Sequence, residues 1–152
     1  MSSLLHPYSF WIKEGQYFFD TPSGTQYVAY FLELPIAKNL YTFNFDRIQL
    51  GSQKIPNEYV FDTICFILLE FFKKHTNSML IVCDSSDGRE EARMRLFNSW
   101  YKRISPKGLN KINKSGRAET YNLLISILFW NDNPNKDQLL LLLGEYFNTM
   151  LL

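Results

Sequence analysis

From Ser78 to Trp100 the chain passes from an apolar run, Met79-Leu80-Ile81-Val82-Cys83, through Asp84-Ser85-Ser86-Asp87-Gly88, into the charged segment Arg89 to Trp100. An apolar run this short, bounded by turn residues, is what a strand covered on both faces produces. The charged segment carries apolar residues at helical spacing, with Leu96, Phe97, Trp100 and Ile104 expected on a core face. A buried strand feeding a helix demands a layered sheet-and-helix fold. It also places a candidate site at the junction, where free backbone N–H groups and the helix dipole converge.

The rest of the chain fits that frame. Tyr17 to Asp20 and Gln26 to Glu33 are aromatic and β-branched, and Thr21-Pro22-Ser23-Gly24-Thr25 between them predicts a hairpin. Leu40 to Asp46 alternates strictly, with Tyr41, Phe43 and Phe45 on a covered face and Thr42, Asn44 and Asp46 on a wet one. Residues 56–75 read as a central helix so apolar that Cys65 and Phe66 face packed surroundings. Pro56 suits its first turn, and Lys73, Lys74 and His75 suit its end. Residues 105–117 contain Pro106, Gly108, Ser115 and Gly116 among lysines and asparagines and read as an exposed basic loop. Tyr121 to Trp130 resumes a strand pattern, and Asn133-Pro134 opens a last helix. The Leu139 to Leu143 run coats that helix with apolar side chains, so it should be covered all round, by its own domain or by a second subunit in a homodimer.

At 152 residues the chain fits one α+β domain. Its expected divisions are an N-terminal β-meander over 1–50, the central helix over 56–75, strand, loop and helix over 79–104, the basic loop over 105–117, and a strand with the C-terminal helix over 121–152. The expected sheet is largely antiparallel, of about five strands, with three helices packed mainly on one face.

Formal net charge is only +1, but its distribution is uneven. Residues 89–117 hold nine Lys/Arg against two Asp/Glu, while the segments on either side are both net acidic. Arg89, Arg93, Arg95, Lys102, Arg103, Lys107, Lys111, Lys114 and Arg117 are therefore the candidate contacts for an anionic partner, such as an acidic protein, a nucleic acid or a membrane surface. No named nucleic-acid-binding motif accompanies them. Cys65 and Cys83 match no zinc or disulfide spacing, which points to a reducing cytoplasm. The start lacks the pattern of a secretory signal, and no apolar run approaches the ~20 residues that span a bilayer, so no membrane insertion is expected.

Cys83 and Arg89 have the five-residue separation of the loop used by cysteine-dependent phosphatases, where a thiolate attacks while loop amides and the arginine hold the phosphate. Asp84 and Asp87 would repel an anion there, and no histidine precedes Cys83. The local account needs no ligand: Ser85, Ser86 or Asp87 caps the helix, Gly88 eases the turn, and Glu90 and Glu91 complement the dipole. Asp84, Asp87 and Glu91 are too irregularly placed for an EF-hand, and His6 and His75 have no evident zinc partner. No metal or cofactor is expected, and the balance leans away from an enzyme toward a binding module.

Tyr41-x-Phe43-x-Phe45, the Asp62-Thr63-Ile64 helix, and Cys83-Asp84-x-x-Asp87-Gly88-Arg89-x-x-x-Arg93-x-x-x-Phe97-x-x-Trp100 resemble a family of small bacterial proteins of unknown function, found chiefly in Bacteroidetes. The resemblance covers roughly residues 40–105. It implies a small cytoplasmic protein and carries over no catalytic residue. The spacing of Arg89, Arg93, Phe97 and Trp100 places the two arginines beside the aromatic stripe of one helix, within reach of acids such as Asp62, Glu70, Asp84 or Asp87.

Overall fold

A computed structural model describes residues 5–49, 58–84, 90–104, 106–117 and 122–151, and among them seven strands and three helices follow one another along the chain. In order they are β1 (Phe10–Lys13), β2 (Gln16–Asp20), β3 (Gln26–Glu33), β4 (Leu40–Gln49), α1 (Glu58–Phe71), β5 (Ser78–Asp84), α2 (Glu90–Ile104), β6 (Leu109–Arg117), β7 (Asn122–Trp130) and α3 (Lys136–Leu151). The strands are hydrogen-bonded in the order β1-β2-β3-β4-β5-β7-β6. The fold is α+β, but the expected five-stranded, largely antiparallel sheet is corrected to seven strands in a mixed sheet. The parallel pair is β4 with β5, Leu40 opposite Ser78 and Thr42 opposite Leu80. Parallel neighbours need a long crossover, and the chain between these two strands includes α1. The chain divides into two compact units, 1–32 with 43–73 and 33–42 with 74–152.

In the first unit, Glu14 and Gly15 both take positive φ, 52° and 77°. That is the left-handed two-residue turn that matches strand twist in a tight hairpin, and it joins β1 to β2. The register puts Phe10, Phe19 and Tyr27 on one sheet face. Phe19 is fully buried, with ring centroids 5.2 Å from Tyr27 and 6.4 Å from Phe45. Helix α1 covers this face: Phe66 meets Phe10 at 5.7 Å, and Phe71 stacks on Phe31 at 4.1 Å. Cys65 is fully buried, as its apolar surroundings imply. Asp62 and Thr63, buried within α1, accept the backbone N–H groups of His6 (2.9 Å) and Tyr8 (2.8 Å), fastening the segment before β1 to the helix.

The second unit is layered on both sides of β5, β7 and β6. Alternation along β7 sends Leu123, Ile125, Ile127 and Phe129 into a core with Leu139 and Leu143 of α3. Ser126 points the other way and meets Met94 of α2 at 3.3 Å. Here α2 and α3 lie on opposite faces of β7. Among the described side chains of α2, Met94, Trp100 and Ile104 are buried, and Leu96 is 43 % exposed. Leu96 is thus outside the buried face on which it is expected, although it stands only about 40° around the helix from the buried Trp100. On α3, Leu139 and Leu143 are buried while Leu141 is 65 % exposed. The leucine run is therefore covered on one side of the helix rather than all round.

Burial pushes the hydroxyls of Tyr17, Tyr27 and Tyr41 above the ordinary phenol value. Glu70 adds to the effect at Tyr17 and Glu33 at Tyr41, while at Tyr27 the Arg47 charge opposes it and Tyr8 adds to it. The unfolded chain ionises these phenols first, near pH 10. Their contribution is fully present below that value and is lost as pH rises through the higher folded values. The urea midpoint should fall as pH rises above about 10, and the triple change Tyr17→Phe, Tyr27→Phe, Tyr41→Phe should flatten the decline. Parallel pH profiles for the two proteins would refute this assignment.

Candidate anion-binding surface

The described cations of the basic segment run from Arg95 in α2 through the turn at Lys107 into β6. Residues 109–117, read from sequence as loop, form the edge strand β6, paired antiparallel with β7 from Leu109 opposite Trp130 to Arg117 opposite Asn122. Lysine, asparagine and glycine give it little intrinsic strand preference, and the apolar ladder of β7 imposes the conformation. Lysines on an edge strand also discourage pairing with another chain.

The register sorts the cations. Lys111 and Arg117 fall on the α2 face and Lys114 on the α3 face, where Lys114 Nζ lies 3.8 Å from the point at which a side chain on Gly144 would begin. Lys111 is half-buried and held in place, donating to Ser126 Oγ at 3.1 Å and to Asn113 Oδ1, while Ser126 also donates to Asn113. Arg95, Lys102, Lys107, Lys114 and Arg117 are exposed, and Arg103 is half-buried. Lys102 and Arg103 occupy the last turn of α2, where the helix dipole favours cations. Arg95 lines a shallow groove of about 250 Å³ with Met94, Asn98 and Leu124. The surface thus consists of separately exposed cations on a helix end, a turn and a strand, suited to charge attraction more than to shape-specific capture.

Other sequence candidates fall differently. Cys83 and Asp84 pair in the β5–β7 ladder opposite Leu124 and Leu123, but their side chains and residues 85–89 lie outside the described residues, as does the side chain of Arg93. The Asp84, Asp87 and Glu91 carboxylates lie outside them too. Of the acids considered for the two arginines, Glu70 pairs with Lys73 at 2.7 Å and Asp62 holds the His6 N–H. Among the described residues no group of three His, Cys, Asp or Glu is placed to hold a metal, and no helix is long and apolar enough to cross a membrane.

Sequence reasoning missed the environment of His75. Its ring stacks on Trp130 at 4.1 Å, and its Nδ1 lies 3.0 Å from each carboxylate oxygen of Asp132. Fifty-seven residues separate His75 from Asp132, and no local pattern signals the meeting.

A comparison with protein families matches residues 56–145 to DUF6169, described as a family of unknown function. No curated protein and no solved structure gives a significant match.

Proposed function

The chain belongs to that family of unknown function, from which no activity carries over, and we propose that it is a non-enzymatic, cytoplasmic interaction module that recruits an anionic partner through residues 89–117. The observation that carries this reading is the exposure of Arg95, Lys102, Lys107, Lys114 and Arg117 within a segment of nine cations and two acids. Exposed cations at this density raise the rate and strength of encounters with anions and lose that advantage as salt rises. An acidic protein is the favoured partner, because no nucleic-acid-binding motif accompanies the charge.

Leu141 supports a homodimer through α3 as a second element of the reading, since a large apolar side chain projects to solvent from a helix whose Leu139 and Leu143 are buried.

The test is purification from a native host at low salt, with and without nuclease. The reading expects a stoichiometric acidic protein that survives nuclease and leaves as salt is raised. Co-eluting material lost on nuclease treatment would reassign the surface to nucleic acid, and a partner retained unchanged at high salt would refute charge-led recruitment.

A further inference from the structure

The first unit contains a groove that the basic surface does not involve. Register sets Trp11 of β1 opposite Phe18 of β2, with rings 5.8 Å apart and 15° from parallel, and Phe18 opposite Val28, which is 6 % exposed. Trp11 is 43 % exposed, so an indole supported by Phe18 still offers surface to solvent. One step along the same face, Asp20 stands opposite Gln26, whose Nε2 donates to Asp20 Oδ1 at 2.8 Å. Tyr8, Phe10, Trp11, Asp20 and Pro22 line a depression of about 450 Å³, and no lysine or arginine lines it among the described residues. Its walls are fixed in advance. The Tyr8 N–H is held by Thr63 and its ring lies 5.7 Å from Tyr59, while the Phe10 ring packs 5.7 Å from Phe66.

Aromatic faces attract cations through their quadrupole, tryptophan most strongly, and a carboxylate at the same opening adds direct charge attraction. An anion would meet Asp20, and a neutral apolar molecule would gain only burial. We propose that this groove binds an organic cation of trimethylammonium or guanidinium type, with Trp11 as the aromatic face and Asp20 as the counter-charge. The cation is either a free small molecule or the side chain of a basic peptide, and the chemistry of recognition is common to both.

The test is an NMR titration of the full chain with tetramethylammonium, with methylguanidinium and with the neutral analogue 3,3-dimethylbutan-1-ol. Both cations should shift the Trp11 indole signal and the amides of residues 8–11 and 20–22, leaving the Trp100 and Trp130 indoles in place. Asp20→Asn should weaken binding about twofold to fivefold, the range for an exposed charge pair, and Trp11→Leu about threefold or more. Thermal melts check that both variants fold, and because the Asp20 side chain is exposed, Asp20→Asn alone keeps the test decisive if Trp11→Leu does not. Comparing methylguanidinium with a Gly/Ser peptide carrying one arginine separates the two sources: tighter peptide binding assigns a protein segment, equal binding a free ligand. Either result keeps the cation. The neutral analogue binding as well as the cations, an unchanged affinity in Asp20→Asn, or no shift at tens of millimolar would overturn the proposal.

Discussion

Phe19→Ala is expected to lower the stability of the protein by about 3–5 kcal/mol, the range for deleting a fully buried aromatic side chain. Phe19 has no exposed surface and lies on β2 between two antiparallel partners, opposite Phe10 on one side and Tyr27 on the other. Its ring also stacks with Tyr8 and Phe45. None of these neighbours is placed to fill the gap. Tyr8 is anchored through its backbone to Thr63, Phe10 packs on Phe66, and Tyr27 is stacked on Phe45 at 5.1 Å. The cavity should therefore stay open and add to the lost transfer free energy. Urea denaturation measures the effect, and a loss below about 1 kcal/mol would mean that this aromatic layer is not the core of its unit.

A contrast within one helix gives the second large effect. Leu139→Ala should destabilise by about 2–5 kcal/mol, because Leu139 is 1 % exposed and packs against the β7 residues Leu123 to Phe129. Leu141→Lys, two positions on and 65 % exposed, should leave the stability of the monomer within about 0.5 kcal/mol. Its effect should appear in the oligomeric state: sedimentation of the wild type as a dimer and of Leu141→Lys as a monomer is the outcome the α3 homodimer predicts. If both sediment alike, α3 is not the interface. Equal destabilisation by the two changes would contradict the one-sided burial of the helix.

The parts of this fold that were legible in sequence are those whose burial writes a period into the chain. The solid apolar run of β5, the apolar surface of α1 and the Asn133-Pro134 start before α3 were all readable, and Asn133 Oδ1 does accept the Asn135 N–H at 2.8 Å just ahead of that helix. On β4, by contrast, Thr42 and Asn44 are half-buried like Tyr41 and Phe45, so the expected wet face is not distinct. The missed strands lack such a mark. β1 is only four residues long, and its turn is Glu14-Gly15, with a glutamate in the left-handed region where Asn or Asp gives the usual signal. β6 is a strand because β7 pairs with it, and its own residues favour a turn. The parallel pairing of β4 with β5 depends on strand order, which no local pattern encodes. For the candidate surface, the concentration of charge was visible directly. The division of Lys111 and Lys114 between two faces required the register, and so did the tethering of Lys111 by Ser126.

If exposed cations of the basic segment recruit an anionic partner, reversing their charge must weaken that binding. The most direct test compares the wild type with Lys102→Glu, Lys107→Glu, Arg117→Glu in one chain, three exposed positions on the helix end, the turn and the edge strand. Fluorescence anisotropy would follow binding of a labelled Asp/Glu-rich peptide and a labelled single-stranded oligonucleotide between about 50 and about 200 mM salt. Wild-type binding to the acidic peptide is expected to weaken steadily with salt. The triple variant should keep its melting temperature and bind about tenfold or more weakly at low salt, with a shallower salt dependence. Wild-type binding indifferent to salt, or a triple variant that binds as the wild type does, would contradict charge-led recruitment.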